Sequence, residues 1–243
     1  MEDISIIIPS RLASVRLPNK PLKKIKDLEM VLHVNELATK ANIGKVIVAT
    51  PDEKIAELVK GYGGNAVKTE KNHETGTDRV YEVFEKVLNR QSKIIINLQG
   101  DMPNLEISSL KFLANHMKKN FCDIGTLASE LDDEEKINEN VVKVQTEKKI
   151  FENSFSKASD FFRHDPVDKK NIYHHIGIYA FTSESLTKFV EFDRSKLEIE
   201  RRLEQLRALE NNMKIDVGFI KSPPLSVDTE EDLSKVKNIM ENK

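Results

Sequence analysis

The sequence predicts an α/β fold with a mostly parallel central sheet flanked by helices. Short apolar runs alternate with segments of helical spacing through the first half of the chain. The apolar runs are rich in isoleucine and valine, which is typical of strands that are buried on both faces. Connections that each contain a helix favour right-handed βαβ units and hence a parallel sheet.

The elements of the first half follow from this alternation. The predicted strands are Ile4–Ile8, Lys45–Thr50, Asn65–Thr69 and Lys93–Leu98. The predicted helices are Met30–Ala41, Glu53–Tyr62, Thr77–Asn89 and Ile107–Met117. Gly63 and Gly64 follow the second helix and suit its C-terminal cap. Each strand therefore leads into a helix that can cover one face of the sheet.

The pattern becomes less regular after about residue 121. Strands are predicted over Asp123–Leu131, Val141–Thr146 and Ile172–Phe181, and the charged stretch Asp160–Lys170 reads as a turn. We therefore expect a single domain over 1–243 with a smaller, antiparallel-leaning subdomain at about 121–180. The last predicted elements are a long helix over Leu197–Asn211, a strand over Lys214–Ile220 and a helix over Glu230–Glu241.

Composition narrows the class of protein. The 243 residues carry a formal net charge of −2, so net charge suggests neither a nucleic-acid partner nor a membrane surface. No apolar run approaches the roughly 18 residues of a membrane span. Cys122 is the one cysteine, which excludes an internal disulfide and favours a small core residue. We expect a cytoplasmic protein.

The loop after the first strand is the most informative segment. It carries Arg11, Arg16 and Lys20 and no acidic residue, and three prolines restrict its backbone. Ligands of open α/β sheets bind just outside the carboxyl ends of the strands. The loop is therefore a candidate polyphosphate site, although a solvated loop of a highly charged protein is the alternative.

Two aspartates are candidate metal ligands. Asp101 follows Gly100 at the end of an apolar strand, and Asp228 precedes the last helix. Mg²⁺ is typically held by one or two carboxylates together with phosphate oxygens and water. The alternatives are an ordinary Gly-Asp turn at Asp101 and a capping function at Asp228, where Thr229 and Asp232 resemble a capping box.

Other segments have weaker signals. Thr75 or Thr77 can cap the helix that follows Gly76, and such a helix N-terminus can also bind an anion or a base edge. His33 lies in an apolar helical pattern and is expected to be structural. No Gly-x-Ser-x-Gly motif and no Gly-x-x-x-x-Gly-Lys loop occurs, which disfavours acyl hydrolysis and P-loop phosphoryl transfer.

Five motifs, in order along nearly the whole chain, resemble the CMP-Kdo synthetase family, the cytidylyltransferases that activate 3-deoxy-manno-octulosonate (Kdo). The motifs are Ile8–Leu22, Thr75–Arg79, Asn97–Asp101, Leu203–Leu209 and Val227–Leu233. The resemblance implies a nucleotide-diphospho-sugar transferase-like sheet with a smaller dimerisation subdomain, and a homodimer. It implies transfer of CMP from CTP to the anomeric hydroxyl of Kdo for lipopolysaccharide synthesis, with Mg²⁺ as cofactor.

The resemblance also implies a function for each matched residue. Residues that hold the nucleotide would be Arg11, Arg16, Lys20, Thr75, Arg79 and Gln99. Residues that line the sugar pocket would be Gln99, His175, Tyr179, Glu204 and Gln205. Asp101 and Asp228 would bind Mg²⁺ and, with Lys20, act in catalysis.

The chain departs from the family pattern at Met102, Lys157, His174 and Arg201, all on the sugar or dimer side. These departures leave two alternatives open. One is a cytidylyltransferase for a related sugar acid, such as 8-amino-Kdo. The other is a non-catalytic nucleotide-binding protein of the same fold. A sugar-1-phosphate nucleotidyltransferase is disfavoured, because those enzymes usually carry a glycine-rich opening loop.

Overall fold

The structure, a computed structural model, describes residues 3–120, 122–164, 167 and 169–241. Its strands are β1 (Ile4–Pro9), β2 (Lys24–Ile25), β3 (Leu28–Glu29), β4 (Lys45–Thr50), β5 (Ala66–Lys68), β6 (Ile94–Asn97), β7 (Ile124–Ser129), β8 (Lys143–Thr146), β9 (Phe155–Phe162), β10 (Ile172–Thr182) and β11 (Ile215–Phe219). Its helices are α1 (Met30–Ala41), α2 (Glu53–Gly61), α3 (Gly76–Lys86), α4 (Ile107–Lys119), α5 (Asp133–Ile137), α6 (Ser183–Glu191), α7 (Lys196–Arg201), α8 (Leu206–Glu210) and α9 (Glu230–Glu241). A short 3-10 helix covers Lys20–Leu22. Among these helices, none combines the length and apolar character that crossing a bilayer requires.

The chain forms two compact units. The first contains the described residues up to Lys111 and those from Pro224 onward, and the second runs from Phe112 to Pro223. The segment 121–180, predicted as a subdomain, lies inside the second unit.

The first unit is built on a parallel sheet in the order β5-β4-β1-β6. Ile7 of β1 pairs with Ile47 of β4, and Ile6 pairs with Ile96 of β6. These isoleucines are fully buried, as expected for strands covered on both faces. The predicted α/β class is confirmed, and the predicted strands and helices of this unit agree with the structure within three residues at each end.

The C-terminal segment returns to the first unit. Val227, together with Leu233 and Val236 of α9, packs against Leu17 and Ile25 in a buried apolar cluster. Val227 is fully buried, and burying such a side chain contributes about 1.5–3 kcal/mol. This packing fixes residue 228 beside the loop that follows β1.

The second unit is mainly antiparallel. β10 pairs antiparallel with β7 and with β8, and β8 pairs antiparallel with β9. β11 lies parallel to β7 and antiparallel to β9. The five strands therefore form a continuous ring of pairings.

Two glycines allow close packing in this unit. A Cβ atom at Gly125 of β7 would lie 2.8 Å from Met117 Sδ, and one at Gly218 of β11 would lie 2.5 Å from the Phe155 ring. Both distances are shorter than van der Waals contact. Helix α4 and strand β9 therefore approach β7 and β11 at positions where a larger residue would clash.

The predicted turn over Asp160–Lys170 is wrong at its start, because Asp160 to Phe162 belong to β9. Asp165, Pro166 and Asp168 of that stretch lie outside the described residues. Strand β9 was missed because its first six residues are half-buried or exposed and partly polar. The hairpin β2–β3 and helices α5 and α6 were not predicted either.

The predicted single helix over Leu197–Asn211 is also wrong. The segment forms α7 and α8, and Arg202 between them adopts a left-handed conformation with φ 55°. Ile199, an apolar residue of this segment, is 58% exposed. The break places Glu198 and Arg207 in a buried bidentate ion pair, with nitrogen–oxygen distances of 2.8 and 2.7 Å.

Candidate active site

One pocket in the first unit gathers the residues proposed for the nucleotide and the metal. It has a volume of about 370 Å³ and lies at the carboxyl ends of β1 and β6. The predicted site residues that line it are Arg11, Arg16, Lys20, Thr75, Arg79, Gln99, Asp101 and Asp228. Three loops and the start of α3 contribute them, because the carboxyl ends of parallel strands meet at one edge of a sheet.

Lys20 lies between the two aspartates. Its Nζ atom is 2.9 Å from Asp101 Oδ2 and 3.0 Å from Asp228 Oδ1. Burial acts to lower the pKa of Lys20, but the charges and hydrogen bonds of Asp101 and Asp228 outweigh it and raise that pKa. The two carboxylates thus converge on one positively charged group, the Lys20 ammonium.

The oxygens of this pair suit a magnesium ion. Asp101 Oδ1 is buried and has no hydrogen-bond partner among the described residues. A buried carboxylate oxygen without a partner is costly, and coordination to a hard cation would satisfy it. Asp101 and Asp228 therefore fit Mg²⁺, which prefers oxygen ligands.

The basic loop is fixed at both ends. Ser10 donates its amide to the Ala49 carbonyl, and Leu12 donates its amide to Asp52 Oδ2 at 2.8 Å. Arg16 pairs with Asp228 Oδ2 at 3.0 Å. Asp52 directly precedes α2, a position typical of a helix cap, so the sequence does not predict that it contacts this loop. Its carboxylate holds the loop instead.

Thr75 caps α3. Its hydroxyl accepts the amide of Asp78, and the Asp78 carboxylate accepts the amide of Thr75 in a capping box. The predicted capping function is therefore confirmed for Thr75, whereas Thr77 is buried and accepts a hydrogen bond from Asn97 at 3.2 Å. Asn97 in turn accepts from Gln99 at 2.9 Å, which orients the Gln99 amide at the pocket wall.

Arg79 is nearly fully buried at the same pocket. Its guanidinium donates to Thr69 Oγ1 and, at 2.8 Å, to the Glu70 carbonyl. Burial and, secondarily, the charge of Arg11 lower the pKa of Arg79 from its usual value. The charges of Glu82 and Asp52 oppose this lowering of the pKa but do not outweigh it.

The predicted sugar residues of the second unit form a group of their own. The rings of His175 and Tyr179 lie 5.5 Å apart, and His175 Nε2 is 3.0 Å from Thr126 Oγ1. Burial, then the charge of Glu204, raises the pKa of Tyr179. Gln205 is buried next to Glu204 in the chain. His175, Tyr179 and Glu204 therefore lie close together, while Gln99 belongs to the pocket of the first unit.

Two departures from the family pattern contact acidic side chains in the second unit. His174 Nδ1 lies 2.7 Å from Glu135 Oε1, and Arg201 donates to Asp160 Oδ1 at 2.7 Å. Both pairs tie β10 or α7 to neighbouring segments. The substitutions at these positions are thus accommodated by local partners.

The family model described as cytidylyltransferase matches residues 5–215. The chain belongs to the cytidylyltransferase family. It is 41% identical to the 3-deoxy-manno-octulosonate cytidylyltransferase of Bartonella tribocorum, with 97% of each chain covered. It is 37% identical to the enzyme of that name from Rhizobium etli, over 99% of this chain and 96% of the relative.

A solved structure is similar throughout. It is that of a CMP:2-keto-3-deoxy-manno-octonic acid synthetase complexed with CTP, with a TM-score of 0.90 and 32% identity. The match covers 98% of both chains. The two units and the pocket of this cytidylyltransferase therefore belong to a fold known to accommodate CTP in a relative.

Proposed function

We propose that this chain transfers CMP from CTP to the anomeric hydroxyl of Kdo and releases pyrophosphate. One observation carries the proposal: a basic loop faces two aspartates, both of which contact the Lys20 ammonium, all within a single pocket of about 370 Å³. The similarity to Kdo cytidylyltransferases over nearly the full length supports both the nucleotide and the sugar.

The basic loop would bind the triphosphate. The Arg11 and Arg16 guanidiniums can each hold phosphate oxygens through two parallel hydrogen bonds, whereas Lys20 supplies a compact charge. Attack of the sugar hydroxyl on the α-phosphorus breaks the bond to pyrophosphate, so negative charge grows on the leaving group. These cations line the pocket in which that charge develops, and they would stabilise it electrostatically.

Asp101 and Asp228 would hold Mg²⁺, and the partnerless Asp101 Oδ1 supports this assignment. When bound, the ion would supply Lewis-acid stabilisation of the phosphoryl oxygens. Lys20 contacts both carboxylates without the ion. Its ammonium therefore has to leave at least one of them when the site is loaded, which frees it for the phosphates.

The rest of the nucleotide and the sugar are assigned from the family resemblance. Thr75 and Arg79 would lie near the cytosine, and Gln99 near the ribose and the sugar. His175, Tyr179, Glu204 and Gln205 would line the sugar pocket, and their proximity within the second unit supports a shared function. We extend the proposal to a homodimer that acts in the cytoplasm, with the dimer testable by light scattering of the purified chain.

The deciding experiment measures pyrophosphate release with a panel of nucleotides crossed with 3-deoxy sugar acids, with and without Mg²⁺. We expect release with CTP, Kdo and Mg²⁺ together and none when any one is omitted. Release with 8-amino-Kdo but not Kdo would move the assignment to that sugar acid. Tight CTP binding without turnover of any sugar acid would replace the proposal with a non-catalytic binding protein.

A further inference from the structure

Three side chains with metal-binding atoms meet in the second unit, and the proposed reaction uses none of them. They are His116 of α4, Cys122 just before β7, and Asp216 of β11. Their ligand atoms all lie within 4.8 Å of one another. His116 Nε2 is 2.8 Å from Asp216 Oδ2.

The geometry resembles a site with three protein ligands. A tetrahedral zinc ion with bonds of 2.0–2.3 Å places its ligand atoms roughly 3.3–3.8 Å apart. The observed separations, from 2.8 Å between His116 Nε2 and Asp216 Oδ2 to at most 4.8 Å, span this range. Three protein ligands leave a fourth position for water.

The imidazole of His116 is already held in place. It stacks on Phe155 with ring centroids 3.5 Å apart and an interplanar angle of 9°. Asn120 donates its side-chain amide to His116 Nδ1 at 3.0 Å, which leaves the other nitrogen, Nε2, facing Asp216. Metal binding at Nε2 requires the ring proton on Nδ1, where the Asn120 side chain can accept it through its amide oxygen once that amide turns over.

The sulfur atoms favour a thiophilic ion over magnesium. Cys122 Sγ lies within 4.8 Å of the ligand atoms of His116 and Asp216, and 3.4 Å from Met117 Sδ. Burial, then Asp216, raises the pKa of the Cys122 thiol to about 12. Cys122 is buried, as expected of a lone cysteine. Unlike an ordinary core cysteine, it lies beside two other potential metal ligands, His116 and Asp216.

We propose that His116, Cys122 and Asp216 form a binding site for a thiophilic divalent cation such as Zn²⁺. The site differs in kind from the Asp101–Asp228 pair, which offers oxygen ligands alone. Binding exchanges the thiol proton for the metal, so one proton is released per ion. The ion would cross-link α4, the segment before β7, and β11, and thereby stabilise the second unit.

Cobalt gives a direct spectroscopic test. A thiolate–Co²⁺ charge-transfer band in the near ultraviolet reports sulfur ligation, and with one cysteine in the sequence the band can come only from Cys122. We expect the wild-type protein, in buffer without added thiol, to develop this band with one Co²⁺ per chain and to lose it on titration with Zn²⁺. The Asp101→Asn variant should keep the band, because its altered carboxylate belongs to the other site.

Variants of the three residues distinguish a site formed by all of them from cobalt binding by the Cys122 thiol without the other two. Cys122→Ser should lose the band, and His116→Gln or Asp216→Asn should weaken Co²⁺ binding by about 10- to 100-fold or more. Zn²⁺ should raise the unfolding midpoint of the wild type but not that of Cys122→Ser. The absence of a band at millimolar Co²⁺ in the wild type, which needs no variant to fold, overturns the proposal. Unchanged cobalt affinity in both His116→Gln and Asp216→Asn does the same.

Discussion

Val227 donates its backbone amide to the carbonyl oxygen of Asp101 at 3.0 Å. The bond joins the C-terminal segment to the loop after β6, two stretches that are far apart in the sequence. Since Val227 is also buried in an apolar cluster, its neighbour Asp228 is held beside Asp101 by both backbone and packing. The carboxylate pair is therefore a product of the tertiary fold of the first unit.

Replacing Asp101 with asparagine should remove the metal site and leave the fold intact. Asparagine removes the negative charge of Asp101. The Oδ1 atom has no hydrogen-bond partner among the described residues, so the change breaks no contact at that atom. We expect kcat to fall by about 10²- to 10³-fold, as when one preorganised electrostatic contact is removed. Binding of Mn²⁺, followed by electron paramagnetic resonance, should weaken in parallel.

Asp27→Asn is the matched control for Asp101→Asn. Asp27 is an exposed aspartate between β2 and β3 and does not line the pocket. Its variant should keep wild-type turnover and Mn²⁺ affinity. Wild-type turnover in Asp101→Asn would rule out a catalytic function for that carboxylate.

Replacing Lys20 with methionine should affect metal and nucleotide in opposite directions. The ammonium is within hydrogen-bond distance of both carboxylates, so it competes with any cation that binds there. We expect Lys20→Met to bind Mn²⁺ alone more tightly than wild type. CTP binding should weaken by about 10- to 100-fold, since charge-assisted hydrogen bonds contribute about 1.5–3 kcal/mol.

Lys23→Met tests whether any nearby lysine has this effect. Lys23 pairs with Glu230 and does not line the pocket. Calorimetric titration with Mn²⁺ and with CTP should leave its two affinities unchanged. If Lys20→Met instead lowered both affinities together, competition between the ammonium and the metal would be refuted.

Local pattern was enough to predict the first unit but not parts of the second. Apolar runs such as Ile4–Ile8 specify buried strands, and the ends of those strands carry the pocket residues. Strand β9 has no comparable run, because its place depends on pairing with β8 and β11. The cluster of His116, Cys122 and Asp216 could not be predicted from the sequence, because only the fold brings its three segments together.

The break at Arg202 shows tertiary contacts overriding helix propensity. Residues 197–209 are mostly good helix formers, and their sequence therefore predicts one helix. A left-handed residue costs a non-glycine side chain roughly 1–2 kcal/mol. The buried Glu198–Arg207 pair, which receives a further hydrogen bond from Arg194, compensates for that cost.

Replacing Glu198 with glutamine should destabilise the second unit strongly. Burial acts to raise the pKa of Glu198, but hydrogen bonds and charge from Arg207 outweigh it and lower that pKa. Removing the charge leaves the Arg207 guanidinium buried without its counter-ion, which costs about 3 kcal/mol. Urea unfolding should report this loss.

Glu200→Gln is the control within the same helix. Glu200 is exposed on α7, so its variant should change the free energy of unfolding by less than about 0.5 kcal/mol. Equal losses in the two variants would mean that the loss does not depend on the buried pair. Because the pKa of Glu198 is lowered, its contribution should be present above its ordinary pKa and disappear as the pH falls through the folded-state value.

Replacing His175 with glutamine should make the free energy of unfolding depend less on pH. Burial, followed by the charges of His174 and Arg163, lowers the pKa of His175 to about 3. The unfolded chain takes up this proton near the ordinary value of 6.5 and the folded chain does not, so acid favours unfolding. Between about pH 7.5 and about pH 5 the wild type should lose about 2 kcal/mol through this group.

The measurement is the free energy of unfolding in urea at several pH values, compared between His175→Gln and its neighbour variant His174→Gln. His174 is partly exposed and contacts Glu135, so replacing it leaves the buried imidazole of His175 in place. We expect His175→Gln alone to retain the stability that the wild type loses below about pH 6.5. If the two variants and the wild type showed parallel profiles, His175 would have to take up its proton in the folded protein as readily as in the unfolded chain. Its ring would then be hydrated, in contradiction to its burial between Thr126 and the edge of Phe161.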